Sequence, residues 1–180
     1  MAKKTLTLAA AVLLGLSFSA HAGNGYLGLS VGNQNYQEPD IGTSVHALAL
    51  TGRLGYRLAR FLDVEARIGS GLEADDGNRA FRPQYLAGIY AKLNWQPMSN
   101  RHFELYVVGG KTRIRAAIGP VGNTLIENDD ATSYGLGIDL FGNRTTALNL
   151  EWMRYGDGEI GTANTAYILD VLSVGLVHHF

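Results

Sequence analysis

The chain ends on the stretch Val171-Leu172-Ser173-Val174-Gly175-Leu176-Val177-His178-His179-Phe180. Every second residue of this stretch, from Leu172 to Phe180, is mostly apolar. A period of two is the signature of a β-strand with one apolar face. A strand that continues to the last residue must be held by a neighbouring strand, because an unpaired terminus frays. The stretch therefore predicts a sheet that includes the chain terminus.

Seven earlier segments alternate in the same way, and the segment 61–69 does so most clearly. Its apolar residues share one face, and its charged residues Asp63, Glu65 and Arg67 share the other. This pattern is typical of strands that separate an apolar from a polar environment. The sequence predicts eight strands in all: 25–33, 45–57, 61–69, 84–96, 103–115, 133–141, 146–155 and 166–180.

The connections between these strands alternate in length. They are short after the second, fourth and sixth strands and long after the first, third, fifth and seventh, and all four prolines fall within connections. Short turns on one side and long loops on the other are typical of an antiparallel up-and-down barrel in an outer membrane. The long connection from Ala117 to Thr132 contains Leu125-Ile126, so a further hairpin and a count of ten strands remain open.

Residues 1–22 are predicted to be a cleaved signal peptide. Lys3 and Lys4 precede an apolar run, and Ala20-His21-Ala22 forms a small-x-small cleavage site. The run is shorter than the ~20 residues of a membrane-spanning helix. The domain is then residues 23–180, where 13 basic residues stand against 16 acidic ones without a basic block, which disfavours nucleic acid as a partner. The absence of cysteine excludes disulfides and a lipoprotein anchor.

The apolar faces are predicted to contact lipid. A water-soluble barrel would turn them inward, but its solvated faces would carry many lysines, and residues 23–180 contain only Lys92 and Lys111. Aromatic residues also collect near the short turns, as expected at a membrane boundary. The predicted periplasmic girdle consists of Tyr56, Phe61, Trp95, Phe103, Phe141 and Phe180. A second, outer girdle is predicted from Tyr85, Tyr134 and Tyr167.

The polar faces then line the inside of the barrel. A barrel of eight strands has an interior just wide enough to be filled by side chains. Charges enclosed there are costly unless they are paired. We therefore predict an internal network of ion pairs among residues of both signs: Arg53, Asp63, Glu65, Arg67, Lys92, Glu104, Asp139 and Glu151.

Three segments resemble a known group of proteins: Gly25-Tyr26-Leu27-Gly28-Leu29-Ser30-Val31-Gly32, Gly52-Arg53-Leu54-Gly55-Tyr56-Arg57 and the terminal stretch. They are similar to the small outer-membrane β-barrel family of OmpA/OmpX type. The resemblance implies a monomer in the outer membrane of a Gram-negative cell. It also implies a terminal signal read by the barrel-assembly machinery, which falls on Leu172, Val174, Leu176 and Phe180. The family often has an aromatic residue where this chain has His178.

No catalytic motif is present. Ser44-x-His46 reverses the His-x-Ser order of outer-membrane lipid A deacylases, and a lipid A-modifying activity stays an alternative that we do not favour. His178 and His179 point to opposite faces of a strand and cannot share a metal ion. The acidic pairs in Asp75-Asp76 and Glu127-Asn128-Asp129-Asp130 are read as solvated loops. We expect neither a cofactor nor a metal.

Basic residues cluster toward the outer end of the fifth strand. Lys111, Arg113 and Arg115 are candidates for contacts with lipopolysaccharide phosphates, because charged donors bind phosphate oxygens strongly. The expected function is structural or interactive: the barrel anchors four outer loops that contact envelope components or external partners. A narrow porin-like channel is the other alternative.

Overall fold

The computed structural model describes residues 23–75, 79–97, 102–120, 125–160 and 165–180. The predicted signal peptide, residues 1–22, lies outside the described residues. No helix within the described ranges is long and apolar enough to cross a membrane. A 3₁₀ turn spans Pro39–Ile41, and the strands are β1 Gly25–Glu38, β2 Thr43–Ala59, β3 Leu62–Gly71, β4 Ala74–Asp75, β5 Arg79–Trp95, β6 Phe103–Pro120, β7 Leu125–Phe141, β8 Thr146–Ile160 and β9 Thr165–His179.

Eight long strands close into an antiparallel barrel. Each pairs with its neighbours along the chain, β3 pairs with β5, and the first strand pairs with the last from Tyr26–His179 to Gln37–Ile168. The two-residue strand β4 only adds to the end of β5. The predicted eight-stranded up-and-down barrel is confirmed. Closure follows from the environment, because each unpaired backbone group in hydrocarbon costs several kcal/mol.

The strands are longer than predicted at one end of the barrel. Strand β7 begins at Leu125, eight residues before the predicted start at Ser133, and β6 pairs with it up to Ile118–Leu125. The ten-strand alternative is therefore wrong, since the hairpin in 117–132 continues two existing strands. We call the end of the barrel that contains the last pairs of β6 and β7 the hairpin end. The opposite end, with the short turns and Phe180, is the turn end.

Two prolines that were predicted in connections lie in strands instead. Pro83 is in β5, where the pairing with β6 shifts register between Pro83 and Tyr85, and Pro120 is the last residue of β6. Bulges and strand ends tolerate proline because no ladder hydrogen bond needs its missing N–H. Proline is therefore absent from the regularly paired parts of these strands, but the position of a proline does not show where a strand ends.

The outside of the barrel is apolar over its turn-end half. Leu54 and Ile89, for example, have 58% and 68% of their surface exposed, whereas Asp63 and Glu65 have none. The aliphatic faces therefore point away from the barrel axis, and the charged faces point inward. This is the arrangement of a barrel in lipid.

The sidedness reverses toward the hairpin end. On β1 the outward residues change from Leu29 and Val31 to Asn33, and on β6 from Val107 to Lys111. From Tyr106 and Val108 in the middle of the barrel to this end, the inward residues include an apolar cluster: Tyr36, Val45, Leu86, Tyr90, Tyr106, Val108, Ile114, Ala116, Ala131, Met153, Tyr155, Tyr167, Leu169 and Val171. The polar side chains of Gln34, Glu38, Thr112 and Ser133 are buried on the same inward side. The barrel thus has a lipid-adapted half and a half whose outer surface is mostly polar.

Candidate functional site: a sealed interior and an extended outer surface

Glu151 on β8 is the centre of the interior network. Its carboxylate accepts hydrogen bonds from Arg67 Nη1 and Nη2 at 2.7 and 2.8 Å, and from Arg53 at 3.3 and 3.2 Å. Tyr106 Oη donates to the same carboxylate at 2.7 Å. Arg67 also donates to Glu65, which accepts a hydrogen bond from Tyr26 Oη. One carboxylate therefore connects strands from opposite sides of the barrel.

A second group of pairs lies beside this centre. Lys92 Nζ donates to Asp139 at 2.8 Å and sits 4.0 Å from the centroid of the Tyr106 ring, a cation–π contact. Asn149 Nδ2 donates both to Asp139 and to Tyr106 Oη, at 2.6 and 2.7 Å. Because Tyr106 Oη also donates to Glu151, this tyrosine joins the two groups into one network.

Arg57 covers the turn end of the interior. Its Nε donates to Asp63 Oδ1 at 3.0 Å, and its Nη2 donates to Glu104 Oε1 at 2.9 Å. Arg57 was missed as an interior charge, although it shares strand parity with Arg53, and that parity was the available signal. Below it, a mouth cavity of about 700 Å³ opens at the turn end and is lined by Glu104, Phe141 and His179, among others.

The structure places all eight predicted interior charges inside the barrel, each no more than 4% exposed. Burial of an ion costs several kcal/mol, which only good geometry and further hydrogen bonds offset. The interior is therefore a fixed set of interlocking pairs. Beyond this set, toward the hairpin end, the apolar cluster fills the interior, and the rings of Tyr36 and Tyr167 stack at 6.2 Å. A solute would have to cross both layers.

The predicted girdles are only partly where the sequence placed them. Tyr56, Phe61, Trp95 and Phe180 are exposed, and Phe103, half-buried, faces outward opposite Leu140. Phe141 is an exception, because it pairs with the buried Ala147 and packs against His179 in the mouth cavity. In the predicted outer girdle, Tyr134 is exposed and Tyr85 half-buried, whereas Tyr167 is 1% exposed and belongs to the apolar cluster. Strand parity decides these cases, since proximity to a turn does not fix the direction of a ring.

The residues of the expected assembly signal lie on the outer face of β9. Leu172, Val174 and Leu176 are 65%, 42% and 60% exposed, and His178 packs edge-on against Phe180 at 5.4 Å. This face is continuous with the apolar surface of the lipid-adapted half.

Lys111, Arg113 and Arg115 form an outward row on β6, beyond the apolar surface. Lys111 Nζ donates to Thr132 Oγ1 at 2.7 Å, and Arg113 forms a two-fold pair with Asp130 at 2.7 and 2.8 Å. The hydrogen bond from Arg113 holds the pKa of Asp130 below its ordinary value, and the same contact raises the pKa of Arg113. Arg113 therefore already has a carboxylate partner within the protein.

Ser44 and His46 both face outward on β2, but they do not form a pair. Ser44 Oγ donates to Asn35 Oδ1 at 2.8 Å. A nucleophilic serine must instead donate to a base. The acidic segment 127–130 lies on β7 and not in a loop, and Asp76 falls outside the described residues. Within the described part of the chain no three His, Asp or Glu side chains are placed to hold a metal ion.

The sequence model of the outer membrane protein beta-barrel domain matches residues 7–180. The chain belongs to this family. No curated protein sequence matches it. Among solved structures, neisserial surface protein A (NspA) is similar with a TM-score of 0.65 and 15% identity, over 87% of this chain and 97% of that protein. Ail of Yersinia pestis, in complex with the heparin analogue sucrose octasulfate, is similar with a TM-score of 0.61 and 11% identity, over 88% and 99%.

The N-terminal barrel domain of Pseudomonas aeruginosa OprF has a TM-score of 0.54 and 13% identity, over 84% of this chain and 96% of that domain. Identities this low establish the fold and leave the activity open. The family and the fold together make this chain an outer-membrane β-barrel.

Proposed function

We propose that this chain is an exported, monomeric membrane anchor of the interaction type. The turn end faces the periplasm, and the hairpin end carries four connections to the outside. The observation that supports this proposal best is the reversal of sidedness. A mostly polar outer surface over an interior that includes an apolar cluster is stable in water, so the hairpin half stands beyond the lipid as a platform.

The alternative of a narrow channel is disfavoured by the contents of the interior. Removal of one ion pair leaves the apolar cluster in place, and buried tyrosines and leucines offer a passing ion no hydration. We therefore expect almost no conductance in planar bilayers, both for the wild-type protein and for Arg57→Ala, in which the bridge across the mouth is lost. Steady conductance of the wild-type protein would favour the channel over the anchor.

Lipopolysaccharide is the partner that we propose for the outward basic row. Three cationic side chains on one face, just beyond Val107, lie where the phosphates of an outer leaflet are expected. The structure of Ail was solved with a polysulfated ligand. Arg113 is paired with Asp130, whereas no ion pair joins Lys111 or Arg115 to a carboxylate among the described residues, so these two cations are the ones best placed to bind phosphate.

The experiment compares lipopolysaccharide retained by purified barrels after detergent exchange. Replacement of Arg113 and Arg115 by alanine should lower retention severalfold. The matched control is Arg82→Ala, since Arg82 is also an exposed arginine near the hairpin end and pairs with Glu73 at 3.5 Å. Folding is checked by gel mobility before and after heating. Equal retention by both variants would end the lipopolysaccharide proposal.

We also propose that the chain is not an enzyme. The hydrogen bond from Ser44 to Asn35 supports this view, because it engages the hydroxyl proton that a base would have to remove. Lipid A from cells with Ser44→Ala should have the same acyl composition, by mass spectrometry, as lipid A from cells with the wild-type protein. A Ser44-dependent loss of an acyl chain would establish the enzyme instead.

A further inference from the structure

The barrel wall has an open seam at the hairpin end, between β7 and β8. The two strands pair only from Tyr134–Arg154 to Phe141–Ala147. Beyond Tyr134, residues 125–133 of β7 pair with β6 alone, and residues 156–160 of β8 pair with β9 alone. Two strand edges therefore face each other without a ladder between them.

The cause of the seam is local. After Tyr134–Arg154, the next pair of β7 and β8 would join Ser133 to Tyr155. At this point, between Arg154 and Gly156, the register of β8 against β9 shifts. Ser133 Oγ donates to the carbonyl of Tyr155 at 2.6 Å, so a side chain takes the place of a backbone donor. The seam also begins directly beyond the outer aromatic contact of Tyr134 with Trp152, and so lies outside the apolar surface.

We propose that this seam binds an extended basic peptide segment, which adds to the sheet as a strand. Strand edges with free N–H and C=O groups are templates for an added strand. In water such edges are tolerated, whereas in lipid they would not be. Asn128, Thr132, Asp157 and Gly158 are exposed along the two edges, so this part of the wall is open to solvent on its outer side.

The charge of the seam indicates which kind of peptide strand would bind. Five acids border the seam in sequence: Glu127, Asp129 and Asp130 on β7 and Asp157 and Glu159 on β8. Arg113 neutralises Asp130, and Arg154 is shared between Asp157 and Asp170. Among the described residues, Glu127 and Asp129 have no cationic partner, although Asp129 accepts a hydrogen bond from Tyr167. The seam therefore has surplus negative charge.

This surplus also excludes a second copy of the chain as the occupant. Two identical seams would place acids opposite acids, and like charges across a strand pair are destabilising. A strand with lysine or arginine at alternate positions would instead meet Glu127 and Asp129 with its inward side chains, because these two acids lie two residues apart on the inward face of β7 and are partly exposed there. The free part of β8, residues 156–160, limits the regular pairing to about five or six residues on that side.

The inference rests on the proposed function, because it requires the hairpin end to face potential partners. The test uses the full barrel in phosphatidylcholine nanodiscs, where no lipopolysaccharide competes. The probe is the acetylated and amidated peptide Lys-Val-Lys-Val-Lys-Val. The control peptide has the same sequence with N-methyl groups on alternate residues, so that it keeps the charge but cannot form a ladder on the methylated side.

Binding is measured by calorimetry, and amide hydrogen exchange locates it. We expect the probe to bind, to slow exchange at residues 127–132 and 156–159, and to bind at least tenfold more tightly than the N-methylated peptide. Replacement of Glu127 by Gln and Asp129 by Asn should weaken binding about tenfold. Asp40→Asn, at an exposed acid elsewhere on the hairpin end, should leave binding unchanged.

Equal binding of both peptides would mean simple charge attraction and would overturn the inference, as would an absence of protection at the seam. Lipopolysaccharide retention separates this failure from that of the proposed function. If retention depends on Arg113 and Arg115 while the peptide does not bind, the seam inference alone is wrong. If neither ligand binds, both proposals are wrong.

Discussion

Replacement of Glu151 by glutamine should be among the most damaging changes to this barrel that alter a single charge. Glu151 is 3% exposed, and Arg53 and Arg67, which both donate to it, are 3% and 4% exposed. Glutamine has nearly the same shape but no charge, so two buried guanidinium groups would lose their shared counter-ion. Removal of one partner from a buried ion pair typically costs about 3–5 kcal/mol. We expect a loss of free energy of unfolding in this range.

The assay is equilibrium unfolding by urea in lipid vesicles, followed by the fluorescence of the outward-facing Trp95 and Trp152. The control is Glu73→Gln, because the Glu73 carboxylate pairs with Arg82 at 3.5 Å and both side chains are more than half exposed. Exposed pairs contribute about 0–1 kcal/mol. If the two variants lost equally little stability, the interior network would not be the stabilising unit that its geometry indicates.

Two further predictions test packing and surface charge. Gly55→Ala would drive a Cβ atom into the buried ring of Tyr26, so it should cost about 1–3 kcal/mol in the same unfolding assay. Gly142→Ala, with open space around it, should cost under about 0.5 kcal/mol. Asp130 should titrate below its ordinary pKa by NMR because of its hydrogen bond from Arg113, and Arg113→Ala should raise that pKa. Since the pKa is lowered by folding, the contribution of Asp130 to stability is present above its unfolded-state pKa and is lost as the pH falls. An unshifted Asp130 in the wild-type protein would contradict the pairing.

The sequence predicts the lipid-facing half of this barrel well, because one rule holds throughout it. In the segment 62–68 every aliphatic residue faces lipid and every charged residue faces the interior, so a period of two identifies both the strand and its face. The interior charges could be predicted as a set for the same reason. Their partners could not, because Arg53 and Glu151 are 98 residues apart in sequence and meet only when the barrel closes.

The sequence pattern does not predict the strands near the hairpin end, and the reason is physical. In the segment 125–133 the outward residues after Ile126 are polar, and the inward ones include Glu127 and Asp129 as well as Ala131. The pattern therefore resembles a loop when it is judged by the rule that holds for lipid-facing strands. Neither Phe141 nor Tyr167 could be assigned from its position near a strand end, because the face of a ring depends on strand parity and on where each strand actually ends.

The reversal of polarity also fixes the depth of the barrel in the membrane. If the barrel sank by two residues, Lys111 on β6 and Asp170 on β9 would approach hydrocarbon, and a charge on the lipid face costs up to about 2–4 kcal/mol at the midplane. If it rose, outward aliphatic side chains nearer the hairpin end, such as Leu50 and Ile89, would meet water, at about 25 cal/mol for each Å² of apolar surface. The charged side chains therefore oppose sinking of the barrel into the membrane, and the aliphatic side chains oppose its rising out of it. The last pair of β6 and β7, Ile118–Leu125, lies seven residues beyond Lys111, or at most about 23 Å along the strand. In the proposed orientation the seam and the basic row would thus be held at set heights above the lipid, as the proposed platform for partners requires.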